Sequence, residues 1–194
     1  MGKVFYKIPP PNKFEGLLLF YFMKRLSREE YVCMLALAAA TRSEDPFTQS
    51  GAALLDIDGN VLGTGVNGLK AGIKVPDWMY LKEKRTEKSQ LMLHSEANLW
   101  TRKKDGIEHL LGITMSPCGS CAKMIAASKV RRVVYVRLYE RGDDEFKKIF
   151  DFHGVEYRLL TKDELNNISF ALTNLSAVVL KQTETLLGGK IMAV

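Results

Sequence analysis

Two short segments hold the residues best suited to chemistry: His94-Ser95-Glu96 and Pro117-Cys118-Gly119-Ser120-Cys121. Imidazole nitrogen and thiolate sulfur are ligands that zinc favours, in a tetrahedron. His94, Cys118 and Cys121 supply three corners, and no suitable fourth protein ligand is evident in the sequence. A fourth corner open to water marks a catalytic site rather than a structural one. Cys118 and Cys121 stand three apart at the start of an expected helix, so they can face one point. A helix N-terminus also favours the thiolate form. Bound zinc lowers the pKa of water from about 15.7 to roughly 7. Glu96 sits beside a ligand without being one, placed to take a proton from that water and return it to a substrate. A lone Cys-x-x-Cys is equally the pattern of a redox pair or of half a structural zinc site. The upstream His-x-Glu sets this chain apart. The third cysteine, Cys33, lies in the apolar run 31–40 and reads as core. His109 and His153 stand alone in polar contexts and read as surface or loop residues.

These residues need a scaffold. Ser27 and Glu30 form a capping-box pattern ahead of an Ala- and Leu-rich stretch, which predicts a helix over 30–42, ended by Asp45-Pro46. Residues 51–57 and 61–65 read as strands, joined by Asp58-Gly59-Asn60, a strong hairpin signal. A long loop, functional or mobile, is expected over 67–90. It carries Lys70, Lys74, Lys82, Lys84, Arg85 and Lys88. Helices are expected over 94–104, 119–129 and 143–152, and strands over 110–115, 132–138 and 155–160. Thr161 and Glu164 repeat the capping-box pattern and open a long helix to residue 187, stopped by Gly188-Gly189. A hairpin followed by alternating helices and strands implies one mixed sheet flanked by helices.

The chain has 194 residues and a formal net charge of +6, with a pI of about 9.2. A basic balance suits a phosphorylated substrate or a polyanion, or is merely a basic surface. Its longest apolar run, 16–23 (GLLLFYFM), is too short for a membrane span, lacks the marks of a secretory signal, and reads as a buried N-terminal segment. Pro9, Pro10 and Pro11 forbid helix near the start. An odd number of cysteines is not a secreted disulfide framework, so a reduced compartment, the cytoplasm, is expected. The division expected is an N-terminal extension over 1–26, a catalytic domain over 27–161, and a helical extension over 162–194 packed on the domain or at a subunit interface.

The H-x-E and P-C-x-x-C segments together are a signature of zinc deaminases. Beyond them the chain, from about residue 31 to 160, resembles the deoxycytidylate (dCMP) deaminase family of the cytidine-deaminase-like superfamily. Residues 42–52 (RSEDPFTQSGA) resemble its RSxDPxxxVGA segment, and 63–68 (GTGVNG) its GxGYNG turn. Residues 94–98 (HSEAN) and 116–123 (SPCGSCAK) resemble HAExN and xPCxxCAK. The basic loop with Pro76 and Trp78 resembles the family insertion before the histidine. Ser50, Val66, Ser95 and Leu99-Trp100 depart from the usual Val, Tyr, Ala and a smaller pair. These departures bear on the substrate more than on the reaction.

The resemblance implies a three-layer α/β/α cytidine-deaminase-like fold with a five-stranded mixed sheet. It implies zinc-dependent hydrolysis of dCMP to dUMP and ammonia, with one catalytic Zn2+ per chain. Asn67, Ser116 and Tyr139 are the expected substrate contacts. An Asn before Gly is also a plain turn residue, and an aromatic is also plain packing. Lys70, Lys74, Lys82, Lys84 and Arg85 are candidates for the 5′-phosphate or for an effector. The family further implies a homo-oligomer, a hexamer, with dCTP and dTTP as effectors and Mg2+ accompanying a triphosphate. Two rivals stand beside this reading. One is a deaminase of tRNA or single-stranded nucleic acid, favoured by the high pI, although no aromatic-interleaved basic groove is readable. The other is a silent regulatory subunit that keeps zinc for folding, which Glu96 argues against.

Overall fold

A computed structural model describes residues 25–139 and 144–187. The proline run, the apolar stretch 16–23 and Gly188-Gly189 lie outside the described residues. The sheet has five strands: β1 (Gly51–Asp56), β2 (Val61–Val66), β3 (Glu108–Met115), β4 (Arg132–Arg137) and β5 (Glu156–Leu159). Their order is β2-β1-β3-β4-β5. β1 runs antiparallel to both β2 and β3, while β3, β4 and β5 are mutually parallel. The mixed sheet expected from the sequence is therefore present.

The helices are α1 (Arg28–Ala40), α2 (Arg85–Leu91), α3 (Ser95–Trp100), α4 (Gly119–Ala126), α5 (Glu145–His153) and α6 (Lys162–Leu187). Strand side chains alternate between the two faces of a sheet, and here both faces are apolar. Ala52, Leu54, Leu111, Ile113, Val133 and Tyr135 form one core with residues of α3, α4 and α5, including Leu99, Ile125, Phe146 and Phe150. Ala53, Leu55, Leu110 and Val134 form the other with Val32, Cys33 and Ala36 of α1 and Ile168 of α6. Three layers result, helices on each face of one sheet. Cys33 is a core residue, and burial pushes its thiol up to about 12.

Both capping boxes form. The Ser27 hydroxyl accepts from Glu30 N, and the Glu30 carboxylate accepts from Ser27 N. Thr161 and Glu164 exchange the same pair of bonds at the start of α6. Several boundaries differ from the sequence reading. α1 ends at Ala40, before Asp45-Pro46, because the N–H groups of Thr41 and Arg42 turn back onto the last carbonyls. The helix expected over 94–104 stops at Trp100: the Lys104 N–H donates to Leu62 O at 2.8 Å and draws the chain back to β2. The span 67–90 is not one open loop. It folds into 3-10 turns at Asp77–Tyr80 and Lys82–Lys84 and then α2, with Val75, Met79 and Lys88 buried beneath. Among the described residues no helix is long and apolar enough to cross a membrane.

Candidate active site

The strand directions gather the site at one edge of the sheet. β2, β3 and β4 end there, and antiparallel β1 begins there. Asn67 therefore follows β2, Ser116 and Cys118 follow β3, Tyr139 lies just past β4, and Ser50 precedes β1. The ends of parallel strands are where α/β sheets usually bind ligands. An open cleft of about 750 Å³, solvent mouth included, is lined by Asn67, His94, Glu96, Ser116, Cys118 and Tyr139.

His94 is the residue capping α3, and Cys118 is the residue capping α4. The chain reaches His94 through a two-hydrogen-bond bridge between Gly68 and Leu93, at 3.1 and 2.9 Å. α3 is pinned to β2 by Asn98, whose Nδ2 donates to Val66 O at 2.7 Å. His94 Nδ1 lies 3.5 Å from Cys118 Sγ and 3.4 Å from Cys121 Sγ, and the three ligand atoms lie within 4.8 Å of one another. Around a tetrahedral zinc with bonds of about 2.05 Å to nitrogen and 2.3 Å to sulfur, the nitrogen–sulfur separation is about 3.5 Å. The donor set and the spacing therefore fit zinc. Hydrogen bonds from Cys121 and His94 hold the Cys118 thiol below its usual range, despite its partial burial. Cys121 is pushed up by its bond to Cys118 and by burial. The hydrogen bond to Cys118 raises His94 against the opposing effect of burial.

Glu96 is 5% exposed. Burial raises its carboxyl pKa, since a carboxylate loses hydration there, while its own backbone N–H, His94 and the Ser95 hydroxyl pull the other way. Ser116 and Tyr139 are linked, the Tyr139 N–H donating to the Ser116 hydroxyl at 2.9 Å. The Asn67 amide is engaged with protein: its Oδ1 accepts from Ser50 N at 2.7 Å and its Nδ2 donates to Thr48 O at 2.7 Å. It thus clamps the segment between α1 and β1 that forms one wall of the cleft.

The basic segment divides. Lys74, Lys82 and Lys84 are exposed and do not line the cleft; Lys84 pairs with Glu87 at 2.8 Å. Lys70 lines a separate depression with Arg42, Glu44 and Arg102. Arg85 and Lys88 do line the cleft. Lys88 is buried and paired with Asp45, whose Oδ1 also accepts from Phe47 N and Thr48 N. Arg85 reaches only the Thr48 hydroxyl at 3.3 Å and the Phe47 ring, with no carboxylate partner among the described residues. The sequence reading missed Asp45 and Ser50 as cleft residues. Asp45 read there as a helix stop, and an Asp-Pro pair carries no signal for a lysine far along the chain.

Helices on both faces of one sheet, with a His-Cys-Cys cluster beside a buried glutamate, suit a hydrolytic deaminase. Residues 26–137 match the family described as the cytidine and deoxycytidylate deaminase zinc-binding region, and the chain belongs to that family. A deoxycytidylate deaminase from Pongo abelii is 28% identical over 137 residues, covering 66% of this chain and 77% of its own length. Deoxycytidylate deaminase of Mycobacterium phage D29 is 35% identical over 127 residues, covering 58% of this chain and 97% of its own. The apo dCMP deaminase structure from cyanophage S-TIM5 superposes with a TM-score of 0.52 at 23% identity, covering 68% of this chain and 96% of its own, a likeness of fold.

Proposed function

We propose that this enzyme hydrolyses dCMP to dUMP and ammonia, supplying dUMP for thymidylate synthesis, with zinc held by His94, Cys118 and Cys121. The observation that carries the reading is the cluster spacing of 3.4 and 3.5 Å beside buried Glu96. The naming of the relatives as deoxycytidylate deaminases supports the substrate. When bound, zinc supplies Lewis acidity that makes a water nucleophilic at neutral pH. The carboxyl of Glu96 would take one proton from the attacking water and give it to the ring nitrogen as the water oxygen bonds to the amine-bearing carbon, then carry the second proton from the resulting hydroxyl to the amine as the carbon–nitrogen bond breaks, leaving the carbonyl and ammonia. Burial raises its pKa, which makes the carboxyl a stronger proton acceptor than an exposed glutamate. The Asn67 clamp and the Ser116–Tyr139 link hold the cleft walls against the nucleoside.

Arg85 is the group proposed to read the 5′-phosphate. Lys88 lines the same cleft, but Asp45 already neutralises it. A charge-assisted hydrogen bond is worth about 1.5–3 kcal/mol, or roughly ten- to a hundredfold. The test is ammonia release from dCMP, dCTP, CMP, deoxycytidine and a cytosine oligonucleotide by the zinc-loaded enzyme. dCMP should be turned over best. Arg85→Ala should lower kcat/KM for dCMP by roughly ten- to a hundredfold and leave the weaker deoxycytidine reaction nearly untouched. Equal losses on both would remove Arg85 from the phosphate, and preference for the oligonucleotide would overturn the substrate.

A further inference from the structure

We propose that Ser95 and Ser50 are positioning residues, a strut of two hydroxyls that fixes the Glu96 carboxylate for its proton transfers; this rests on the deaminase reading of the site. Ser95 is the first residue of α3 and only 1% exposed. Its hydroxyl donates to Glu96 Oε2 at 3.0 Å and lies 2.9 Å from the Ser50 hydroxyl. Ser50 lies on the cleft wall just before β1. Its backbone is held at both ends by Asn67: the Ser50 N–H donates to Asn67 Oδ1 at 2.7 Å, and its carbonyl accepts from Asn67 N at 3.0 Å. The position of the Ser50 hydroxyl is thus fixed by the same clamp that shapes the cleft.

The direction of the chain follows from chemistry. In the state that accepts a proton Glu96 is ionised and its carboxylate only accepts, while a serine has a single proton to give. Ser95 gives its proton to Glu96, so it accepts from Ser50. Ser50 has then spent its proton and offers lone pairs to the cleft. Side chains at adjacent helix positions project away from one another. A bond from Ser95 to its neighbour Glu96 therefore requires the carboxylate to be drawn toward the start of the helix, where His94 lies. Without the hydroxyl, a flexible glutamate has other rotamers to adopt.

The test uses the zinc-loaded enzyme and dCMP. Ser95→Ala and Ser50→Ala should each lower kcat by roughly three- to tenfold, with KM within about twofold and zinc content unchanged. The double variant should be no slower than Ser95→Ala alone, because either removal breaks the same chain. Ser50→Thr, which keeps the hydroxyl, should recover most of what Ser50→Ala loses. Additive losses, losses confined to KM, or an unchanged kcat would overturn the strut. If Ser95→Ala fails to fold, the Ser50→Ala and Ser50→Thr pair still decides the matter at a half-buried position. Infrared difference spectra against Glu96→Gln supply a readout independent of turnover: Ser95→Ala should shift the Glu96 carboxylate stretch. An unmoved band sinks the strut. A shifted band in an enzyme inactive on dCMP would instead sink the substrate assignment.

Discussion

Glu96 is the residue on which the proposed chemistry turns, and its setting is costly. Burial disfavours its charge, and His94 and Ser95 return only part of the lost hydration. A protein gains no stability from an arrangement of this kind, which argues for a task. Glu96→Gln removes the proton acceptor and keeps the shape. The expected result is full zinc occupancy by elemental analysis, a melting temperature no lower than wild type, and a kcat down by about 10²–10⁴. Near-normal turnover would reassign the proton shuttle. At this scale the sequence was legible wherever chemistry restricts the residue type. Zinc accepts few residue types, so His94, Cys118 and Cys121 stood out by residue type, spacing and the His-x-Glu and Pro-Cys-x-x-Cys signature they belong to. Roles set by distant partners were hidden. Asp45 meets Lys88, a partner 43 positions away in the chain, and nothing local to either residue announces the pair. Asn67 read as a substrate contact; it does line the cleft, and the bonds of its amide to Ser50 and Thr48 had no signal in the sequence.

Among the elements, α3 matters most, because its first turn carries Glu96 and its cap is His94. It lies so close to β2 that a Cβ on Gly65 would fall 2.1 Å from Ser95 O and 2.6 Å from Leu99 N. These are backbone atoms, so the helix itself would have to move. Gly65→Ala should therefore destabilise by about 1–3 kcal/mol through overpacking. For a chain of this size that is a fall of roughly 2–12 °C in Tm. Displacement of Glu96 should cut kcat as well. Gly63→Ala is the control. Its added carbon would meet the Leu99 Cδ1 methyl at 3.1 Å and Lys103 Cα at 3.2 Å, contacts relieved by small shifts. Equal melting and turnover in the two variants would show that the close approach of α3 to β2 does not set the site. The existence of each strand and most helices was readable from apolar periodicity and caps. The length of α3 was not, because the bond from Lys104 N to Leu62 O that ends it joins segments far apart in sequence. The basic stretch before it gave no apolar period, so its burial against Asp45 stayed concealed.

The whole molecule is closed on its second face by α6, and that closure combines packing with charge. Ile168 is 2% exposed against α1, and Leu165 packs beside it. Asn167 Nδ2 donates to Glu30 Oε1 at 2.7 Å. Arg158 joins Glu29 of α1 to Glu164 of α6, and Arg132 extends the cluster to Glu156. The hydrogen bond from Arg158 holds the Glu164 carboxyl down at about 2, against some burial. A carboxyl whose pKa is depressed on folding stabilises the fold above its unfolded value, near 4.5. That contribution fades as the pH falls through about 2. Arg158 is 37% exposed, so solvent screening limits the contribution to about 1 kcal/mol. Glu164→Gln should then melt lower than wild type at pH 7, with the gap closing progressively between pH 4.5 and 2. A gap constant across that range would mean that the loss comes from the cap at Thr161 rather than from the charge. Deleting the chain after Thr161 removes the same carboxylate together with Ile168 and Leu165. The packing loss, about 2–5 kcal/mol by analogy with core truncation, should exceed the ionic one and persist at every pH. Leu172, Leu175 and Val179 stand exposed further along α6. Light scattering on the truncated chain therefore separates two roles of the helix. A lower Tm with an unchanged number of subunits per particle assigns α6 to its own domain, and fewer subunits per particle assign it to a subunit contact.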